Sequence, residues 1–174
     1  MAIKITDNEL LLLSKAKQEK FKNYLEGLSL ATRSGKTIDE LRAIVAQDRL
    51  HLAQQQLSAA KKAIVSTPSI SRTAVSRAYY SMYHAARAVA YIDFGGDDNE
   101  EHSKLPTYLP NDFPDSSNWK IKLKNARLDR NRADYDPYPK KDSEFKECAE
   151  ILYSDARNFL HSAKSYIQSR INQS

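Results

Sequence analysis

Residues 71–92 read SRTAVSRAYYSMYHAARAVAYI. Ala74, Ala78, Tyr79, Met82, Tyr83, Ala85, Ala86 and Val89 recur at three- and four-residue steps with no glycine or proline between them, so the stretch is predicted to be a helix. Alanine over so much of its surface lets neighbouring helices approach closely, which places it at the centre of a bundle. Tyr79, Tyr80 and Tyr83 bring large rings with a polar tip that wants a partner when buried. They serve either as packing residues whose hydroxyls reach polar groups at the edge, or as a platform on which a substrate stacks.

The rest of the chain is read around that helix. Its 174 residues are one domain's worth, enough to bury a core without disulfides or metals. Cys148 is the single cysteine, which excludes an intramolecular disulfide and a cysteine-rich zinc site. No metal ligands and no cofactor are expected. The opening MAIKITDNELLLLSKAK has an apolar run too short, and too soon followed by charge, for a signal peptide or a membrane span. A cytoplasmic protein with no membrane association is expected.

Thr6 and Glu9 form a capping box that predicts a first helix from about Asp7 through Leu25, fraying towards Gly27, with residues 28–36 as a hinge. Residues 1–36 read as an N-terminal extension and residues 37–174 as the main domain. Thr37 and Glu40 form a second box, opening a long helix that Thr67 and Pro68 stop. His51 lies beside its apolar stripe and reads as a partly exposed helix histidine. The central helix follows, closing near Asp93 with Gly95 or Gly96 at its C-cap. A proline-containing loop to Asn118 is predicted to hold a short helix at 102–109, and a further helix begins near Ser117 and ends before Pro137. The last helix, capped at Asp142 or Ser143, carries Phe145, Cys148, Leu152, Ala156, Phe159, Leu160 and Ile167 along one stripe. Cys148 reads as an inert core thiol. The fold class is all-α.

The formal charge of +5 permits an anionic partner without demanding one. Its distribution is more informative. The chain is acidic from Asp93 to Asp115 and basic from Lys120 to Arg132, either a solvated face or a phosphate-facing surface. Counting 100° per residue along the fourth helix puts Arg130 in line with Trp119, Leu123, Ala126 and Ala133. A guanidinium cannot shed its proton, so Arg130 must meet a carboxylate such as Asp134, reach solvent, or face a cleft where an anion binds.

Taken together, SRAYYSMYHAARAVAYI, then EHSKL, then RNRADYD, then a closing amphipathic helix resemble the HEPN domain. The likeness is to an uncharacterised bacterial and archaeal branch with AYYAMFHAARALL-like and RNxADY-like stretches, and it covers about Asp48 to Ile167. The resemblance implies an antiparallel up-and-down four-helix bundle, here with an additional N-terminal helix. It also implies a homodimer with a cleft between protomers. Active members are metal-independent endoribonucleases, often toxins encoded beside a small nucleotidyltransferase, so a toxin–antitoxin or defence role and a nucleotidyltransferase partner are implied. Their motif is an arginine, a polar residue and, four to six residues on, a histidine.

Arg130 and Asn131 match the first two positions, but Tyr135 stands where the histidine is expected. Metal-free RNA cleavage needs a group to take the 2'-hydroxyl proton as well as a cation for the phosphorane. A tyrosine titrating near 10 is a poor base. His102, after the central helix, and His84, on it, are candidates to substitute for the missing base. The expected site therefore comprises Arg130, Tyr135 and His102 as catalytic candidates, with Asn131, Asp134, Arg127, Arg77, Tyr80 and His84 as binding residues. The ligand is RNA or a nucleotide. The alternative is a non-catalytic interaction module, in which the same residues lock a dimer or seat the nucleotidyltransferase.

Overall fold

A computed structural model describes residue 14 and residues 17–95 and 102–173. The capping box at Thr6 and Glu9 and the start of the first helix lie outside the described residues, as does Gly96. Five helices make up the described chain: α1 (Gln18–Ser34), α2 (Ile38–Val65), α3 (Ser71–Phe94), α4 (Ser116–Tyr135) and α5 (Lys146–Gln173). Two short 3-10 turns, Leu105–Tyr108 and Asp142–Phe145, precede α4 and α5. No strand occurs among the described residues.

The chain divides into two compact units, residues 1–41 and 42–174. In the first, α1 does not fray at Gly27 as its sequence suggests. It runs on to Ser34 and closes on Gly35 in the left-handed conformation (φ 64°). The predicted hinge at 28–36 is therefore mostly helix, because one glycine inside a helix costs only about 1 kcal/mol and the residues around it are helix-compatible. The Thr37–Glu40 box forms as expected: the Glu40 backbone N–H donates to Thr37 Oγ1 (3.1 Å) and the Thr37 N–H to Glu40 Oε2 (2.7 Å).

The second unit is the bundle. The Arg42 guanidinium, near the start of α2, donates to Ile92 O near the end of α3 (2.9 Å), so these helices run antiparallel. Arg72 at the start of α3 donates to Ala133 O at the end of α4 (2.7 Å), and Trp119 early in α4 packs on Phe159 in α5 (ring centroids 5.0 Å). The path is up-and-down through all four. Helix α3 is the hub: Ala74, Ala78, Ala85 and Ala88 are fully enclosed, and α5 and α4 pack most extensively against it. Gly95, one of the two glycines the sequence offers as the cap, closes α3 with φ 76°, and its N–H donates to Tyr91 O.

Asp142 does not cap its own helix. Its carboxylate reaches the first turn of α3, where Oδ2 accepts from the Ser71 N–H (2.5 Å) and Oδ1 from the Arg72 N–H (3.0 Å). Beside it the Arg72 guanidinium collects the carbonyls of Ala133, Asp136 (2.9 Å) and Pro139 (2.6 Å) over the ring of Phe145. The α4–α5 connection is thereby tied to the start of the hub. At the far end the Tyr166 hydroxyl sits between Asp93 (2.9 Å) and Asp112 (3.0 Å) and accepts from Arg170 (2.6 Å), which joins the ends of α3 and α5 to the loop before α4. His51 is exposed and pairs with Gln55 (3.0 Å), as a helix-surface histidine would. Asp142→Ala is expected to remove a charged cap and lower the unfolding free energy by about 1–2 kcal/mol, read as a lower urea midpoint with an unchanged m-value.

Candidate anion site on the hub helix

One turn of α3 carries Tyr79 and Tyr80, the next Tyr83 and His84, and the next Arg87; α4 adds Arg127, Arg130, Asn131, Asp134 and Tyr135. The helical repeat brings residues 80, 84 and 87 to one flank and 79 and 83 beside them. Arg130 is enclosed, with its side chain 16% exposed. Its Nε lies 2.7 Å from Asp134 Oδ2, Nη1 donates to Asn131 Oδ1 (3.2 Å) and Nη2 to the Tyr80 hydroxyl (2.6 Å). The guanidinium is also stacked near the rings of Tyr80 (5.3 Å) and Tyr135 (5.0 Å). Burial opposes its charge, but Tyr80, Asp134 and Tyr135 more than offset this and hold the pKa above its ordinary value. Of the alternatives the sequence offers for this charge, the ion pair with Asp134 forms. The Tyr135 side chain is a further hydrogen-bond partner of the guanidinium.

His102 comes from the loop and docks on the hub. Its ring lies parallel to Tyr83 (centroids 4.1 Å, planes 5° apart), and its Nδ1 is 2.6 Å from the Tyr79 hydroxyl. Burial lowers its pKa, and the charges of Arg130, Arg87 and Arg127 lower it further. His84 lies against Tyr83 (5.3 Å) and Tyr80 (6.3 Å), and burial, with Arg87, Arg49 and His102 adding to it, pushes it down to about 4. Both imidazoles are therefore neutral in a cluster of fixed cations. Arg87 donates to the Tyr83 hydroxyl (3.3 Å).

The structure thus gathers Arg130, Asn131, Asp134, Tyr135, Tyr80, His84 and His102, with Arg127 near enough for its charge to act on His102 and Tyr79. Arg77 is not among them. It lies one turn before Tyr80 on the same flank of α3, but its guanidinium turns to α2 and donates to Gln56 (3.2 Å). Tyr135 is 70% exposed, and the guanidinium rather than the core holds its ring. Sequence reasoning missed Arg87, and offered Tyr79 and Tyr83 only as a candidate stacking platform outside the expected site. The Tyr83–Arg87 spacing of one turn was the available signal, and the docking of His102 on Tyr79 and Tyr83 had none.

The other flank of α4 is different in character. A cleft of about 640 Å³ between α4 and α5 is lined by Asp129, Glu144, Glu147 and Asp155 over Ala126, Cys148, Ile151 and Leu152. Lys122 in its wall is paired with Asp155 (2.6 Å). Cys148 is half-buried on this cleft rather than fully in the core, and burial, with Asp129 adding to it, raises its thiol pKa, consistent with an inert thiol. Such a surface disfavours phosphate, whereas the opposite flank of α4 carries Arg130 among aromatic and polar side chains. No group of three or more metal-ligating side chains occurs among the described residues, and no helix among them is long and apolar enough to cross a membrane.

The family model of the HEPN domain matches residues 46–166, which span α2 to α5 and every residue of this cluster. The chain belongs to the HEPN family. A comparison with curated proteins finds no match. HEPN proteins often have ribonuclease or nucleotide-related roles, and HEPN domains commonly dimerise.

The depressed histidines have a consequence for stability. His84 titrates near 6.5 when unfolded and about 4 when folded, so the unfolded chain binds more protons across that interval. Its stabilising contribution is complete above the unfolded pKa and is lost as pH falls through the folded one. With allowance for solvent screening of a half-buried ring, the loss is on the order of 2 kcal/mol. Urea titrations at a series of pH values should show the midpoint falling across this window, and His84→Gln should flatten the fall while His102, shifted in the same sense, leaves a residue of it.

Proposed function

We propose that this HEPN protein binds RNA or a nucleotide through phosphate contacts to Arg130, with Arg127 and Arg87 supplying further positive potential. In this reading Tyr80, His84 and Tyr135 offer aromatic faces to the base. One observation carries the proposal: a guanidinium held in place by Asp134, Asn131 and Tyr80 beside the exposed ring of Tyr135. Preorganised donors of this kind bind phosphate without having to be reordered first.

Metal-independent RNA cleavage requires a base as well. Tyr135 is too weak a base for that role, and His102 is the candidate that lies among the same cations. The interaction-module reading draws on the same contacts, since Arg130 bound by three side chains also stiffens α4 against α3. The toxin–antitoxin or defence setting, the homodimer and a nucleotidyltransferase partner enter this reading through the family resemblance.

Arg130→Ala should weaken binding of a single-stranded oligoribonucleotide by about tenfold or more and reduce the salt slope by about one phosphate's worth, with the helical melting transition retained. Arg130→Lys should recover only part of the loss, because a point charge does not reproduce the planar fork. Filter binding over a salt series, run in EDTA with gel analysis of the same RNA, reads binding and cleavage together. Unchanged affinity in Arg130→Ala would rule out the phosphate-binding reading.

A further inference from the structure

The sharpest feature of the cluster is the contact between Tyr79 and His102. Tyr79 is 2% exposed, and a hydroxyl on so deeply buried a residue is expected to place its proton on a protein acceptor. Among the described residues the acceptor within reach is Nδ1 of His102, at 2.6 Å. A neutral imidazole carries one proton. Were it on Nδ1, that N–H would donate to the Tyr79 oxygen and the phenolic hydrogen would be left buried and unpaired, at a cost typical of such groups of about 1–3 kcal/mol. With the proton on Nε2, the bare Nδ1 accepts from the phenol and the buried contact is satisfied on both sides.

We propose that Tyr79 is a positioning residue which fixes His102 as the Nε2–H tautomer, making His102 a hydrogen-bond donor to an anionic oxygen of the bound ligand. This inference rests on the phosphate-binding reading given above and specifies what His102 does within it. The parallel stack on Tyr83 sets the plane of the ring, so the direction of Nε2–H is fixed along with the tautomer. The depressed pKa of His102 supports a singly protonated ring, and burial raises the Tyr79 pKa, which keeps the phenol protonated.

The chemical consequence is specific. An Nε2 that already bears a proton has no in-plane lone pair, so it cannot accept the proton of a 2'-hydroxyl. His102 and Arg130 then present donors alone, which suits a phosphate held in place rather than one being transferred.

Nitrogen-15 NMR of the full-length protein labelled at histidine reads the tautomer directly. Nε2 protonated and Nδ1 bare in the wild type, giving way to a tautomer mixture in Tyr79→Phe, is the expected result; Nδ1–H in the wild type overturns the assignment. His102→Gln places an amide N–H close to where Nε2–H was. It should keep affinity for a short oligouridylate within about threefold, whereas His102→Ala should lose about tenfold, the worth of one hydrogen bond to a charged group. If His102→Gln falls as far as His102→Ala, the donor role is wrong. If the wild type shows Nε2–H yet binds neither oligouridylate nor inorganic phosphate, the phosphate-binding reading and the donor role fail together. In that case the tautomer assignment and the positioning role of Tyr79 stand.

Discussion

A guanidinium cannot be neutralised by burial, and the sequence sets one on the packing side of α4. Arg130 follows Leu123 and Ala126 along the same stripe, where the helix meets the alanine-rich hub. Its charge has to be answered there by the protein. Asp134 answers one turn on, Asn131 next to it, and Tyr80 from across the interface. Each of these residues is restrained in turn: Asp134 also accepts from Ser76 on α3 (3.3 Å), and Tyr80 packs among Tyr79 and Tyr83. Fixing one charge therefore organises a whole polar seam between two helices. The same seam is where an anion would be received.

The seam depends on how close α3 and α4 approach, which is a matter of small side chains. Ala126 and Ala133 on α4 are enclosed, as are Ala74 and Ala78 on α3. With larger residues at these positions the helices would separate, and the Arg130 to Tyr80 hydrogen bond of 2.6 Å would not span the gap. Arg72 and Asp142 hold the end of the seam by joining the start of α3 to the chain that leaves α4. Packing and polar recognition are consequently the same construction here, so a cavity or an overpacked position in the α3–α4 contact would alter the geometry of the site.

Periodicity made the four bundle helices legible, since each carries its apolar stripe at helical spacing and meets a proline, glycine or capping residue near its end. The Thr37–Glu40 box was readable to the residue, and the C-cap of α3 to one of two adjacent glycines, for the same reason. What misled was punctuation taken in isolation: Gly27 and the polar residues after it resemble a hinge, yet no second breaker occurs before Gly35, and the helix continues. Asp142 was recognisable as a cap but not as the cap of α3, because its partners, Ser71 and Arg72, are distant in sequence. The site shows the same division. Arg130 and Asp134 are one turn apart and could be paired from sequence, whereas Tyr79 meets His102 only because a loop folds back on the hub.

That loop contact also bears on why a histidine is absent from the position after Arg130. A histidine there would be a movable base beside the arginine. Here Tyr135 instead lays an aromatic face on the guanidinium, and the imidazole nearest in character, His102, is held by a buried phenol and lies parallel to a second tyrosine ring. Catalysis by proton transfer asks for a group able to hold its proton in either state near neutrality. The surrounding arginines work against that by disfavouring a second positive charge on the ring. Binding makes the opposite demand, for donors whose protons stay in place, and in the proposed reading Arg130 and the Nε2–H of His102 would meet it.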